Sequence, residues 1–299
     1  MSTPDVPSVA AVVLNWNNYE DTAECIDSLQ PQLTVDDRIV LVDNGSTDGS
    51  LERLRSDYPD IAFVENDRNL GFAGGMNSGI EWARAAGMDT VLLLNNDALV
   101  SEETRIHDLA KTALQTDVGL VTPLIYEHPG EDVWFARGVV DDRWVRFRHE
   151  TEFDDSERHL QNEYVPLCCT VMSLSVLEEV GDLDEEYFLY CEDAELGSQL
   201  RDRGYDLLTD TTSHARHKVS GSSEASFSPV PAYYRTKNRH LFYRNRSEMS
   251  SSLAVACYSL WWVVTRGMWA LATSGPAGAI ALCRGEIDGL RGRWGKGPY

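Results

Sequence analysis

Uninterrupted apolar runs and helix-like patterns alternate along the first half of the chain. Residues 9–14 are continuously apolar and lead into helical spacing that lasts to about Leu29; residues 39–42 repeat the run, with a Leu51/Leu54 helix after them. The series continues with residues 61–64, a helix around 76–86, residues 91–94, a helix after Ser101 and residues 119–122. Strands without polar alternation are covered on both faces. The pattern therefore predicts an α/β fold, a mostly parallel central sheet with helices on both faces. Such sheets bind ligands beyond the carboxyl ends of their strands. Between Leu124 and Asn162 the periodicity gives way to a polar, tryptophan- and charge-bearing stretch, an inserted ribbon or a loop over the site. Order returns at residues 164–174. Ser175-Val-Leu-Glu178 has the spacing of a capping box, and residues 192–203 read as a helix closed by Gly204.

After Pro231 the chain changes character, which divides it into a first domain over residues 1–230 and a C-terminal helical appendage over 231–299. Aromatic and basic residues interleave, followed by two uncharged stretches, residues 253–265 and 267–283, split by Arg266 and bent at Gly275-Pro276. Each falls short of the roughly 20 residues that cross a bilayer as a helix. Trp261, Trp262 and Trp269 are of the ring type favoured at membrane interfaces, and flanking arginines suit anionic headgroups. The expectation is a membrane-surface contact through residues 250–299; packing on the parent domain, or on a second copy as a homodimer, is the alternative.

Charge sharpens that division. The 299 residues carry 26 Lys and Arg against 48 Asp and Glu, a net −22, which repels nucleic-acid phosphates and argues against DNA or RNA as a partner. Residues 235–299 hold ten basic residues and three acidic ones, a net +7, leaving −29 on residues 1–234. Only four of the cations are lysines, and a carboxylate excess of this size suits a halophilic setting where salt screens self-repulsion. The six cysteines show no C-x-x-C spacing, and the N-terminus has neither the basic start nor the apolar stretch of a signal peptide. The expected location is cytoplasmic, peripheral on the inner face of the cell membrane.

Three strands end in small polar clusters. They are Asn15-Trp16-Asn17, the segment Asp43-Asn44-Gly45-Ser46-Thr47-Asp48-Gly49-Ser50, and Asn95-Asn96-Asp97. On one sheet edge they define a crevice in which an Asp with Asn side chains recognises a base and ribose, and a second Asp holds a hard divalent cation. Alone, the second cluster reads as a turn with Asp48 capping the next helix. The stretch from Asn69 through Gly71, Gly74, Gly75 and Asn77 to Gly79 is not a G-x-G-x-x-G. It suggests a helix N-terminus whose glycines let a ligand approach the backbone and whose amides face an anion.

The ordered motifs NWNN, DNGSTDGS, NLGFAGGMNSG, LLLNNDA, GDLDEEYF and EDAELGSQLRDRGY resemble family 2 glycosyltransferases of the GT-A, nucleotide-diphospho-sugar transferase fold, especially the rhamnosyltransferase-like branch. The resemblance covers residues 8 to about 245. It implies an inverting, metal-dependent transfer from a UDP- or dTDP-sugar to an acceptor hydroxyl. Asp43 would bond the pyrimidine base, with Asn15, Trp16, Asn17 and Asn44 lining the nucleoside pocket, and Gly71, Gly74, Asn77, Asn95 and Asn96 would belong to the donor site. Asp97 would ligate Mg²⁺ or Mn²⁺; many relatives have Asp-x-Asp where this chain has Asn-Asn-Asp, so phosphates and water would supply most of the coordination. His217 matches the family histidine that completes the metal site, with nearby His214 the alternative; Gly221-Ser222 follow His217 as the motif expects. Glu192-Asp193 matches the family's acidic pair, with Asp193 as general base.

One departure is Gln199, which stands where relatives often carry an arginine; Arg201, Lys237 and Arg239 are candidates to supply that charge. The membrane-seeking tail suggests a lipid-linked glycan acceptor in cell-surface polysaccharide or protein glycosylation. Two other readings compete. A sugar-phosphate nucleotidyltransferase would carry a Gly-rich basic loop after the first strand, which Asn15-Trp16-Asn17-Asn18 is not; a non-catalytic nucleotide-sugar-binding or membrane scaffold protein need not retain Asp43, Asp97 and Asp193 together.

Overall fold

The computed structural model describes residues 6–141, 146–218, 228–246 and 252–299. Its first part is the alternation expected: β1 (Val9–Asn15), α1 (Tyr19–Leu29), β2 (Arg38–Asp43), α2 (Ser50–Asp57), β3 (Ala62–Glu65), α3 (Gly71–Ala85) and β4 (Thr90–Asn95). After the two-residue β5 (Ala98–Leu99) come α4 (Ile106–Ala113), β6 (Val118–Glu127), β7 (Val133–Phe135), β8 (Arg137–Asp141) and β9 (Arg146–Glu150). The remainder comprises β10 (His159–Gln161), β11 (Cys169–Ser173), α5 (Leu174–Val180), α6 (Glu192–Asp202), β12 (Asp206–His217), α7 (Pro229–Asn245) and α8 (Ser252–Leu290).

The sheet runs β10-β12-β6-β11-β4-β1-β2-β3. Strands β3, β2, β1 and β4 are mutually parallel, while β11 enters antiparallel between β4 and β6, so the sheet is mixed. Both faces are covered. Val9, Ala11 and Val13 of β1 pack toward α1, α2 and α4, whereas Ala10 and Val12 pack toward α3, α5 and α6. Successive strand side chains point to opposite faces, so the continuous apolar run is what two covering layers require.

Two boundaries differ from the sequence pattern for identifiable reasons. Strand β6 continues to Glu127 through Pro123, which has no amide hydrogen for a ladder. Opposite it β12 bulges, its pairing passing from Asp210 with Pro123 directly to His214 with Leu124. Helix α5 begins two residues earlier than the Ser175 capping box implied: Ser173 is the N-cap, and its hydroxyl accepts from the Ser175 amide. Arg137–Asp141 and Arg146–Glu150 form a two-stranded antiparallel ribbon, β8 with β9.

The C-terminal helices are packed into the rest of the molecule. Helix α8 breaks at Gly275, and its second half closes on α7 through Ala281, Leu282 and the buried ion pairs of Glu286 with Arg239 (3.1 Å) and His240 (3.0 Å). A Cβ at Gly285 would lie 2.4 Å from the Tyr233 carbonyl oxygen and one at Gly289 2.5 Å from the His240 ring, so glycine at both positions lets the helices meet. Apolar clusters cross residue 230: Tyr187, Cys191 and Ala194 pack with Leu241, Phe242 and Tyr243. Among the described residues, no helix is long and apolar enough to cross a membrane. The first half of α8 nonetheless exposes Leu260, Trp261, Val264, Met268 and Leu271.

Candidate active site

The ends of β1, β2 and β4 bring the polar clusters together in one hydrogen-bonded network. Asn15 is fully buried, and its amide nitrogen donates to Asp43 Oδ1 (2.9 Å), Ser46 Oγ (3.1 Å) and Ser50 Oγ (3.0 Å). Asp43 Oδ2 accepts from the Ser46 amide at 2.9 Å. The Thr22 hydroxyl on α1 lies 2.9 Å from Asn15 Oδ1 and accepts from Asn96 Nδ2 at 2.9 Å, which ties the β4 end to the β2 end. Asn17, at positive φ, accepts from the Thr47 amide (2.7 Å), and Trp16 stands exposed beside it. Asp48 accepts from the Ser50 amide at the start of α2, although the helix N-cap itself is Gly49. Asn15 thus acts as the internal brace that orients Asp43, while Trp16 is the open side chain of its cluster.

The glycine stretch has a different occupation from the ligand cradle expected of it. Gly71 sits at φ +82°, and a Cβ there would meet the Phe188 carbonyl oxygen at 2.2 Å. Its amide donates to Asn69 Oδ1 (2.7 Å), and the next amide, of Phe72, to that Phe188 oxygen (2.6 Å), so both are committed within the protein. Gly74, Gly75 and Gly79 let α3 press against Leu70, Leu14 and Val12 respectively. Asn44 clamps this turn to β2 by accepting from the Leu70 amide (3.1 Å) and donating to the Gly71 carbonyl (2.9 Å). Asn77 exchanges hydrogen bonds with the Leu183 backbone, 2.9 and 3.0 Å. The glycines serve helix–sheet packing, and Asn44 and Asn77 hold the segments that carry the site.

Asp97 lies in the turn between β4 and β5, and β5 pairs with the end of β12, placing His217 opposite Ala98. His217 Nε2 stands 3.0 Å from Asp97 Oδ1. His214 faces Glu103 at 3.7 Å and packs edge-on against Tyr126, away from Asp97. Gly221 and Ser222 lie outside the described residues. Among the described residues, no group of three or more His, Cys, Asp or Glu side chains is placed to hold a metal ion by itself. One carboxylate and one imidazole supply hard and borderline donors at adjacent points, which fits a divalent ion whose other positions are taken by phosphate oxygens and water. Asn95 Oδ1 is buried at the same strand end with no protein partner.

Glu192 and Asp193 open α6, delivered by a segment held in sparsely populated backbone conformations: Phe188, Tyr190 and Cys191 all have positive φ. Such strain persists only where the surroundings enforce it. Here Asn238 of α7 enforces it, its amide nitrogen lying 2.6, 2.8 and 2.8 Å from the carbonyl oxygens of Tyr187, Leu189 and Tyr190. Glu192 is buried, and one of its oxygens has no partner. Asp193 reaches the wall of a cleft of about 500 Å³ and accepts from the Ala194 amide at 2.8 Å. Burial raises the pKa of both carboxyls, and the Asp193 charge raises that of Glu192 further. Trp134 links the halves of the site, lining the cleft with Asp193 while its ring lies 4.9 Å from that of His217.

Gln199 has a cation near it, on a shared carboxylate, that none of the candidates included. Gln199 donates to Glu195 Oε1 (2.9 Å), Tyr187 donates to Glu195 Oε2 (2.8 Å), and Arg246 at the end of α7 stands 3.5 Å from the same carboxylate. Lys237 is instead fully buried between Tyr233 and Tyr234, with its ammonium on the Gly295 carbonyl. Arg239 lines the cleft. Asn238 and Arg246 carried no sequence signal, because their partners lie about 50 residues away along the chain.

Residues 10–181 match the model of glycosyl transferase family 2. The low-salt glycan biosynthesis hexosyltransferase Agl10 of Haloferax volcanii is 24% identical over 296 residues, covering 96% of this chain and 92% of that protein. The N-acetylglucosaminyl-diphospho-decaprenol L-rhamnosyltransferase of Mycobacterium tuberculosis is 26% identical over 234 residues, 70% of this chain and 75% of its own. Among solved structures, the mannosyltransferase PcManGT of Pyrobaculum calidifontis, in complex with GDP-Man and Mn²⁺, superposes with a TM-score of 0.57 at 17% identity, over 95% of this chain and 87% of that one. GalNAc-T7 with UDP, GalNAc and Mn²⁺ gives a TM-score of 0.61 at 14% identity over 92% of this chain, which spans 59% of that longer protein. These likenesses identify the fold as GT-A.

Proposed function

The chain belongs to glycosyl transferase family 2 and is a glycosyltransferase, and from that premise we propose that it moves a sugar, with inversion, from a UDP- or dTDP-linked donor to a hydroxyl of a lipid-linked glycan. The observation that carries this reading is the position of Asp193: a carboxylate of raised pKa, at the wall of an open cleft, in the first turn of α6 and directly after a strained segment. In the transfer the acceptor oxygen gives its proton to Asp193 and bonds to the anomeric carbon, as the bond from that carbon to the diphosphate oxygen breaks. The diphosphate leaves with the bonding electron pair. A base whose pKa is lifted toward the working pH accepts that proton more readily than an ordinary aspartate. A neutral, protonated Glu192 beside it avoids a second negative charge in the same enclosed space.

Asp97 and His217 would hold Mg²⁺ or Mn²⁺, which when bound offsets the charge gathering on the departing diphosphate. Asp43, braced by Asn15, is the candidate reader of the pyrimidine, and Trp16 is the open aromatic beside it. A lipid-borne acceptor is supported by the exposed apolar residues of α8, by the +7 charge of residues 235–299 and by the decaprenol-linked substrate in the name of the mycobacterial relative. A cytoplasmic location, peripheral on the inner membrane face, accords with those features. Calorimetry with a panel of nucleotide sugars, with and without Mn²⁺, tests the donor half. Asp193→Asn tests the rest: transfer falls about 10²–10⁴-fold while donor affinity is kept. Full transfer activity in that variant removes Asp193 as base.

A further inference from the structure

The cleft beside Asp193 has a composition unlike the rest of the molecule. In a chain with 48 carboxylates and 26 cations, five arginines converge on it: Arg146 and Arg148 from the β8–β9 ribbon, Arg235 and Arg239 from α7, and Arg266 from α8. Arg239 is committed to Glu286 at 3.1 Å. Among the described residues, no carboxylate lies within ion-pairing distance of Arg146, Arg148, Arg235 or Arg266. Two of these guanidiniums rest on aromatic faces instead, Arg235 over Tyr190 at 4.7 Å and Arg266 over Trp262 and Trp269 at 5.3 and 5.6 Å. Stacking fixes the planes of the guanidiniums and leaves their N–H edges for a ligand.

The surface next to the cleft is apolar. Trp262, Arg266 and Trp269 recur at helical spacing on one stripe of α8, and Leu260, Trp261, Val264, Met268 and Leu271 form an adjacent stripe open to the outside. Arg266 marks the seam between them. An occupant complementary to both surfaces carries concentrated negative charge at one end and a long apolar chain at the other.

The geometry points to this cleft as the site for the phosphate or diphosphate of an isoprenoid-lipid acceptor, its chain lying along the exposed stripe of α8. The inference rests on the glycosyltransferase reading, because it is Asp193 that makes this the acceptor side. The residues proposed to hold the donor and its metal, Asp43, Asn15 and Asp97, do not line the cleft. Bidentate guanidinium–phosphate pairs tolerate the high ionic strength that a chain of this acidity suits better than single point charges do.

The test uses the full chain and phosphatidylcholine vesicles carrying one of three additives: polyprenyl diphosphate, the same mole fraction of polyprenol, or phosphatidylglycerol at matched charge. Vesicle affinity is measured by co-sedimentation and affinity for UDP and dTDP by calorimetry with Mn²⁺, for the wild type, Arg148→Gln/Arg266→Gln, and the exposed-tail control Arg291→Gln. Tightest binding is expected for polyprenyl diphosphate. The double variant loses about tenfold per arginine, while its UDP affinity and that of the control stay within about twofold, which also shows that it folds. Equal binding to phosphatidylglycerol vesicles, or a double variant that loses UDP affinity and keeps the vesicles, overturns the assignment. Failure of the wild type to bind either UDP or dTDP, with polyprenyl diphosphate still bound, overturns the proposed donor and leaves the ligand of the cleft in place.

Discussion

The two halves of the site are built in opposite ways. At the strand ends, Asn15, Asp43, Thr22 and Asn96 spend their hydrogen-bonding groups on one another, Asn44 spends its own on the Leu70–Gly71 turn, and the strand ends and α1 position them. Around Asp193 the balance differs: Glu192 has a bare buried oxygen, Arg146, Arg148, Arg235 and Arg266 line the cleft with no carboxylate in ion-pairing range among the described residues, and the backbone leading in is strained. Satisfied networks fix geometry, whereas charges kept from their partners retain interaction energy for a ligand. The first half is a mould and the second is a reactive surface, and the substitutions that damage each differ accordingly.

Asp193→Asn gives the sharpest contrast. Its rate loss of about 10²–10⁴-fold should come without a drop in melting temperature, because removing a buried charge does not destabilise the fold. A matching fall in melting temperature would place Asp193 among the structural residues. Asn15→Ala is the counterpart: stranding Asp43 and Thr22 in the interior should cost about 1–3 kcal/mol, read by denaturant unfolding. A fully stable Asn15→Ala protein with weakened donor binding would make Asn15 a ligand-facing residue rather than a brace.

Asn238→Ala probes what joins the halves. Releasing the Tyr187, Leu189 and Tyr190 carbonyls should lower kcat through misplacement of Asp193, with donor affinity nearly unchanged; its stability cost should be about 1–3 kcal/mol. Equal losses in donor affinity and kcat would show that the whole site had moved. The acid limb of kcat/KM should lie above the ordinary aspartate range, because activity is lost as pH falls through the raised pKa of a base that must be ionised. Glu192→Gln should leave that limb in place.

The same substitution carries a stability signature. The folded protein binds the Glu192 proton more tightly than the unfolded chain, so stability falls as pH rises from the unfolded pKa to the folded one. Glu192→Gln should therefore raise the melting temperature at neutral and alkaline pH and leave it unchanged in acid. The smallest effect is from salt: raising KCl should stabilise the protein gradually, as screening relieves repulsion among residues 1–234 at a net −29.

Much of the scaffold was legible because its signals are local. An apolar run without alternation specifies a strand covered on both sides wherever it lies, and a strand ending in Asn, Asp and Gly announces its turn. The glycine stretch misled because glycine's freedom serves any close neighbour. The one present at Gly71 is the Phe188 carbonyl, 117 residues away along the chain. The run at residues 119–122 continues past Pro123 to Glu127 in the sheet, because β12 bulges where the missing donor would have paired.

By itself the sequence determined the alternating layers, the polar strand ends and the division between an acidic body and a basic, aromatic tail, all properties of neighbouring residues. Tertiary structure alone decided that His217 and not His214 meets Asp97, that Arg246 and Gln199 meet on the Glu195 carboxylate, that Asn238 holds the loop before Asp193, and that arginines from three separated segments line one cleft. Each of these pairings joins elements whose approach is set by the packing of the whole sheet and its helices. No spacing along the chain encodes a distance that only folding creates.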